Sequence, residues 1–178
     1  MKFIQLKEEH LEKVLYWRTQ QWVTEHMFTD IEYDMEQQRR WFKRVSEDST
    51  QQYWIISIKD RHVGIVSIND INYVHRRCSW AFYIGEKDVS MLSMLLAPYV
   101  YQYVFDVLNF NKITGEVMED NDAVRKMHLH YGCRESGCFQ QHIYKYGKFH
   151  NVYTYELLRQ EWMASKSRYG KKIMVIEE

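Results

Sequence analysis

The chain has 178 residues, of which 46% are hydrophobic and 16% are aromatic, and its 24 Lys and Arg residues balance its 24 Asp and Glu residues. This length suits one domain with a single sizeable core, and the apolar content argues against global disorder. A formal net charge of zero excludes the strongly basic proteins that bind nucleic acid by neutralising phosphates.

The three cysteines, Cys78, Cys133 and Cys138, form an odd-numbered set without metal-ligand spacing. The N-terminal residues lack the apolar region of a signal peptide, and no run approaches the roughly 20 apolar residues of a membrane span. We therefore expect a reduced, cytoplasmic protein without a metal, a membrane partner or a nucleic-acid partner.

The first half of the chain predicts one strand, two helices and then three strands. The helices show apolar residues at helical spacing, and the strands alternate and are rich in β-branched and aromatic residues. These elements are expected at 3–6 (strand), 8–20 (helix), from near 33 (helix), and at 51–59, 63–71 and 77–84 (strands).

The second half predicts a long helix from Val89 to Leu108 that contains the only proline, Pro98, in its first turns, unless the helix starts nearer Ala97. A strand at 113–118 follows, then a helix from Asp122 to Tyr131 with Asn121 as its N-cap and Gly132 after its end. Two alternating segments, 134–146 and 149–158, predict a terminal hairpin. The order indicates a mixed α/β sheet with helices on both faces, and 165–178 is a tail of undefined structure.

That element order resembles the Gcn5-related N-acetyltransferase (GNAT) superfamily. Residues 67–75 and 116–121, with the aromatic residues around Trp17 and Trp41, are similar to the branch that acetylates UDP-4-amino-4,6-dideoxy sugars in pseudaminic acid synthesis. The resemblance implies a single GNAT domain at 1–164, with a mostly antiparallel, twisted sheet of about seven strands, followed by a C-terminal tail at 165–178.

The activity that the resemblance implies is acetyl transfer from acetyl-CoA to the 4-amino group of the sugar by direct attack. The backbone of the fourth strand would hold the thioester carbonyl, and the loop and helix start after it would hold the pyrophosphate. The implied acetyl-CoA contacts are Phe82, Tyr83 and Ile84, then Val89, Ser90, Met91, Leu92, Ser93 and Met94, and Asn121 for the pantetheine arm.

The implied catalytic residues lie close together in the sequence. His128 aligns, without gaps from Glu116 to Gly132, with a tyrosine that protonates the leaving thiolate in the family, and its unperturbed pKa of about 6.5 lies near working pH. Glu116 is the candidate base, and if strand and helix pack together both groups face one cleft. The alternatives are a solvated carboxylate and a helix-face histidine bonded to a neighbour. The implied acceptor contacts are Arg18, Met27, Asn69, Asp70, Asn72 and His75.

Three residues of the predicted pyrophosphate-binding segment depart from the family pattern. Met91 and Ser93 stand where glycines usually let the backbone approach a phosphate, and Asp88 adds a negative charge there. Two other functions therefore stay open: acetylation of a protein N-terminus or a small polyamine, and binding without catalysis by a degenerate relative. The sequence also leaves a homodimer open.

Overall fold

The computed structural model describes residues 1–177, which form one eight-stranded sheet in the order β6-β7-β5-β4-β3-β2-β1-β8. The strands are β1 Lys2–Gln5, β2 Gln52–Ile58, β3 Arg61–Asn72, β4 Arg77–Ile84, β5 Lys112–Met118, β6 Arg134–Lys145, β7 Lys148–Leu158 and β8 Ile176–Glu177. Only the β4–β5 and β1–β8 pairs are parallel. The predicted mixed, mostly antiparallel sheet is confirmed, with one strand more than expected.

The extra strand comes from the tail. Residues 166–177 begin with a 3-10 turn, Lys166–Tyr169, and end as β8, which lies parallel to β1. Phe3 N donates to Val175 O at 3.0 Å, and the side chain of Met174 is buried. The tail therefore extends the sheet beyond the N-terminal strand.

Helices cover both faces of the sheet. They are α1 Leu11–Thr19, α2 Gln21–Thr24, α3 Met35–Glu47, α4 Ala97–Gln102, α5 Asp122–His130 and α6 Arg159–Ser165. Ile55 of β2 packs with α1 on one face, whereas its neighbours Trp54 and Ile56 belong to the larger core that contains α4 and α6. Successive strand residues point to opposite faces, so one strand supplies both cores. Within residues 1–177, none of these helices has the length and apolar character needed to cross a membrane.

The prediction of one long helix from Val89 to Leu108 is wrong. A 3-10 helix, Lys87–Leu95, is followed by α4 and then by a π-helical turn, Tyr103–Val107. Pro98 is the second residue of α4, where a missing N–H costs nothing, whereas a continuous helix would bring its ring against the carbonyl of Met94. The alternative start near Ala97 is therefore confirmed.

The sheet opens between the neighbouring strands β4 and β5. β4 and β5 pair only at Arg77–Lys112, Cys78–Ile113 and Ser79–Thr114. Beyond that point β4 continues to pair with β3, and β5 with β7. A gap thus widens between 80–84 and 115–118, and we refer to it as the strand gap.

The α1 helix is fixed against the end of β4 by close contact between Trp17 and Gly85. Trp17 is fully buried, and its Nε1 donates to Glu86 Oε1 at 2.9 Å. A Cβ on Gly85 would lie 2.0 Å from Trp17 Cγ, a distance that atoms cannot adopt. Only glycine lets the two elements approach this closely.

We expect Gly85→Ala to lower the free energy of unfolding by about 3 kcal/mol, the upper part of the usual range for overpacking. Gly147→Ala is the control: its φ of +77° is strained for alanine, but no atom lies within 4 Å of its Cβ, so about 1 kcal/mol is expected. Urea unfolding measures both values, and equal losses would contradict the described contact.

Candidate active site

His128 of α5 lies at the narrow end of the strand gap. A Cβ on Gly115 would be only 2.8 Å from its Cε1, so the imidazole rests directly on the β5 backbone. The ring stacks on Tyr155, with centroids 4.9 Å apart, and meets Trp80 edge-on at 5.6 Å. Gly115 and Trp80 are the first residues beyond the last β4–β5 pair. Packing on both sides therefore holds the imidazole where the two strands part.

The ring of His128 is buried and electrically neutral at neutral pH. Burial lowers its pKa to about 4, so the expectation of a value near working pH is wrong. The sequence could not show this, because Tyr155 and Trp80 come from distant strands. A neutral imidazole carries one N–H, which it can donate in a hydrogen bond, but it lacks the second proton that it would need to protonate the thiolate.

Tyr101 of α4 contacts the inner nitrogen of this ring. Its hydroxyl lies 3.3 Å from His128 Nδ1 and 3.1 Å from Cys133 Sγ. Burial raises the pKa of the Cys133 thiol to about 12, so the thiol stays protonated and can donate to Tyr101. Tyr101 can then donate to Nδ1, which leaves the N–H of the imidazole on Nε2. The alternative interpretation, a helix-face histidine that is hydrogen-bonded to a neighbouring residue, therefore describes Nδ1 correctly. It does not involve Nε2.

Glu116 lies on the opposite face of β5 from His128. Gly115 faces the imidazole, and adjacent strand residues point to opposite sides. The Glu116 side chain is exposed, and it has no hydrogen bond or ion pair within residues 1–177. The two residues border the same gap, but the expectation that they face one cleft is wrong.

A pocket of about 670 Å³ lies between the sheet and the helices α1 and α3. Three of the six predicted acceptor contacts, Arg18, Met27 and Asn69, line it. The other lining residues are Val14, Leu15, Thr29, Ile31, Glu32, Asp34, Gln37, Gln38, Arg40, Trp41, Arg44, Tyr53, Ile65, Ser67, Ala81, Phe82 and Tyr83. We refer to this cavity as the acceptor pocket.

Asp70, Asn72 and His75 do not line the acceptor pocket. The register of β3 against β4 shifts between Asn69 and Asn72, and Asp70 has a φ of +50°, so the backbone turns away there. Asp70 accepts from Ser79 Oγ at 2.8 Å, and Asn72 Oδ1 accepts from the His75 N–H at 2.8 Å. These side chains stabilise the β3–β4 turn.

Positive charge outweighs negative charge around the acceptor pocket. Arg18, Arg40 and Arg44 line it, against the carboxylates of Glu32 and Asp34. Asp34 is already engaged, because it caps α3 by accepting from the N–H groups of the first helical turn.

Arg18 also shapes the acceptor pocket. Its Nη1 donates to Thr24 Oγ1 at 3.0 Å and its Nη2 to Thr29 O at 2.6 Å, and burial lowers its pKa. It therefore holds the segment between α2 and α3 above the pocket.

The sequence interpretation did not assign Gln38 and Trp41 of α3 to the site. Gln38 is buried and Trp41 packs edge-on against Tyr53 at 5.2 Å. The signal was present in the sequence, since a buried amide on an otherwise apolar helix face needs a polar partner.

The segments predicted to hold acetyl-CoA lie along the strand gap and at its wide end. Residues 82–84 form the gap-side edge of β4, and 89–94 lie in the 3-10 helix that follows β4. Met91 is 87% exposed, so its side chain points to solvent rather than into the segment. Asp88 pairs with Arg61 at 2.7 Å, which lowers the pKa of Asp88 and offsets its charge. Met91 and Asp88 therefore obstruct the binding of a pyrophosphate at this segment less than the sequence suggests.

A model of the acetyltransferase (GNAT) domain family matches residues 1–134, about three quarters of the chain. The chain belongs to this family. The prediction of a GNAT N-acetyltransferase that uses acetyl-CoA is confirmed, as is acetyl transfer to an amine in general.

Relatives of two kinds are similar to this GNAT protein. Acetyltransferase PseH of Campylobacter jejuni is 21% identical over 126 residues, which are 71% of this chain and 78% of the relative. Spermidine N(1)-acetyltransferase of Escherichia coli K12 is 21% identical over 128 residues, 71% and 69% of the two chains. A crystal structure of spermidine N-acetyltransferase from Vibrio cholerae in complex with CoA and spermine superposes with a TM-score of 0.84, at 16% identity, over 91% of this chain and 97% of that one.

The buried His128 makes a prediction about stability and pH. Its folded-state pKa of about 4 lies below the ordinary value of about 6.5, so the unfolded chain binds its proton more readily. The contribution of the neutral His128 ring to the free energy of unfolding is complete above pH 6.5. As the pH falls towards 4, this contribution is lost, and the free energy of unfolding drops by on the order of 3 kcal/mol.

Urea unfolding at pH 7, 5.5 and 4.5 measures this loss, with His128→Phe as the comparison. The variant is expected to lose less stability over the same range, and parallel losses in both proteins would contradict the buried neutral ring. Nitrogen-15 NMR should also show that the His128 ring is the neutral imidazole, with a single N–H, at pH 5.5.

Proposed function

We propose that this GNAT enzyme acetylates the 4-amino group of a UDP-linked 4-amino-4,6-dideoxy sugar. The observation that carries the proposal is the charge of the acceptor pocket, in which three arginines outnumber two carboxylates. A sugar nucleotide carries negative charge on its diphosphate, whereas a polyamine is a multiple cation. An arginine-rich pocket favours the anion, because guanidinium groups bind phosphate oxygens in a bidentate geometry.

The polar and aromatic lining supports a sugar nucleotide in a second way. Ser67, Asn69 and Gln38 offer hydroxyl and amide groups, and Asn69 Nδ2 donates to Ser67 Oγ at 3.0 Å. Trp41 and Tyr53 offer ring surfaces on which a base or a sugar can pack. Ligand pockets typically combine apolar and aromatic faces with a few placed hydrogen-bonding groups in this way.

The proposed reaction is a direct transfer. The lone pair of the neutral amine attacks the thioester carbonyl, and backbone N–H groups at the gap edge of 82–84 stabilise the oxyanion. The C–S bond then breaks, and the thiolate takes up the proton that the acylated nitrogen loses. His128 assists by donating a hydrogen bond from its Nε2–H to the departing sulfur, and Tyr101 keeps Nδ1 as the acceptor.

Acetylation of a polyamine is the second candidate. Its support is the equal 21% identity to the E. coli spermidine enzyme, together with the carboxylates of Glu32 and Asp34 in the acceptor pocket. Family membership favours either reaction over binding without catalysis.

A panel of acceptors tests the substrate. With acetyl-CoA as donor, we expect thiol release to be at least about tenfold faster in kcat/KM with a UDP-linked 4-amino sugar than with spermidine or an N-terminal peptide, the equivalent of about 1.4 kcal/mol. Arg44→Gln should raise the KM for the sugar nucleotide and leave the KM for acetyl-CoA unchanged. A preference for spermidine would overturn the sugar proposal and support the second candidate.

The role of His128 is tested by His128→Ala. We expect kcat to fall about 100-fold, within the range of acid–base assistance, with little change in acetyl-CoA binding by calorimetry. His130→Ala is the matched control, since His130 lies on the same helix with an exposed side chain. Unchanged turnover in His128→Ala, with binding intact, would remove His128 from the mechanism.

A further inference from the structure

Two buried histidine nitrogens near the end of β5, His26 Nδ1 and His150 Nδ1, have no hydrogen-bond partner within residues 1–177. His26 belongs to the segment between α2 and α3 above the acceptor pocket, and His150 is on β7. His26 Nδ1 lies 3.7 Å from Asp120 Oδ1, and His150 Nδ1 lies 3.6 Å from Glu119 Oε1. Buried polar atoms normally have partners, so this group needs an explanation.

The tautomer of His150 follows from its other nitrogen. His150 Nε2 lies 3.2 Å from the carbonyl oxygen of Lys145, and a carbonyl oxygen only accepts. Nε2 therefore carries the N–H, and in the neutral ring Nδ1 is a bare acceptor. It faces the carboxylate of Glu119, which also only accepts when it is ionised. His150 Nδ1 and Glu119 Oε1 thus face each other as two hydrogen-bond acceptors. One added proton would form a hydrogen bond between them.

The position of Glu119 places this pair beside the proposed reaction. Ser79 pairs with Thr114, so continuing the same register along the two strands brings Glu119 level with Ile84. Glu116 is level with Ala81, nearer the closed end of the gap. The thioester carbonyl is proposed to lie at 82–84, so Glu119 stands across the gap from it.

The pair is also connected to the acceptor pocket. Lys145, whose carbonyl holds His150, donates from its Nζ to Thr24 O at 2.5 Å and to Met27 O at 2.8 Å, and it pairs with Asp30 at 2.9 Å. Met27 lines the acceptor pocket. Lys145 thus joins the wall of the pocket to the backbone that fixes the imidazole of His150.

We propose that Glu119 and His150 form the proton-accepting site for the amine that is acetylated. The ammonium nitrogen gives one proton to the Glu119 carboxylate, where it is shared with His150 Nδ1. The amine then uses its freed lone pair to form the C–N bond. When the resulting oxyanion collapses, the C–S bond breaks, and the second proton of the acylated nitrogen passes to the thiolate. Glu119 is a catalytic residue in this scheme, and His150 is a positioning residue that stabilises the added proton. The inference rests on the proposed acetyl transfer, but not on the identity of the sugar.

Other charged groups face this site, among them Arg125 of α5, whose Nη1 donates to the Glu119 carbonyl oxygen at 3.3 Å. His26, Glu25 and Asp120 approach from the segment above the acceptor pocket and from the loop after β5. Lys145 approaches from β6, and its charge is balanced by Asp30. The proton that the site takes up is therefore held between groups of both signs.

Steady-state kinetics with the best acceptor tests the proposal. Glu119→Gln is expected to lower kcat/KM about 100-fold at pH 7, and the deficit should shrink as the pH approaches the pKa of the acceptor amine, because the solvent then removes the proton. A purely structural role would give a loss that does not depend on pH. Asp122→Asn, a nearby exposed carboxylate on α5, is the matched control and should match the wild type.

Glu116→Gln separates the two candidate bases. The proposal predicts that its loss, if present, is equal at all pH values. A loss that shrinks at high pH in Glu116→Gln, but not in Glu119→Gln, would overturn the proposal and assign the proton to Glu116.

Nitrogen-15 NMR of the imidazole of His150 tests the proton-accepting site without turnover. The experiment can therefore be carried out even if no acceptor is found. Neutral His150 should carry its proton on Nε2, where Lys145 O accepts it, and the resonance of Nδ1 should shift in Glu119→Gln, because Nδ1 faces that carboxylate. A proton on Nδ1, or an Nδ1 resonance that is the same in both proteins, would overturn the proposal.

Discussion

The parting of β4 and β5 after the Ser79–Thr114 pair is the constraint on which the site depends. Each strand keeps its outer partner, β3 or β7, so the opening sacrifices backbone hydrogen bonds on one edge only. The gap-side groups of 80–84 and 115–118 then need water or a ligand as partners. A sheet that opens in this way presents backbone donors in a row, which suits the extended arm and the carbonyl of a thioester.

Two buried histidines flank this opening in different states of hydrogen bonding. His128 has Tyr101 at its inner nitrogen and rests on Gly115, so its remaining nitrogen is available at the closed end of the gap. His150 has Lys145 O at one nitrogen and the Glu119 carboxylate opposite the other. The first arrangement suits donation of a hydrogen bond, and the second suits acceptance of a proton. The reaction uses both, since negative charge develops on the sulfur and the amine loses a proton.

Local sequence signals predicted the elements better than they predicted the chemistry. Alternation placed β4 at Arg77–Ile84, and the residues Asn121 and Gly132 marked the ends of α5, because such signals depend on near neighbours. The lowered pKa of His128 depends on Tyr155 and Trp80, which the sequence does not connect to it. The opposite orientation of Glu116 depends on which face of β5 receives α5. The sequence does not single out His150, because the environment of its Nδ1 depends on Lys145 O and Glu119, which only the fold brings to it.

A crystal structure of the protein with bound acetyl-CoA tests the central claim most directly. The account predicts that the pantetheine arm lies in the gap between 80–84 and 115–118, with the sulfur within hydrogen-bonding distance of His128 Nε2. A structure in which β4 and β5 have closed on each other, with acetyl-CoA elsewhere on the surface, would contradict it.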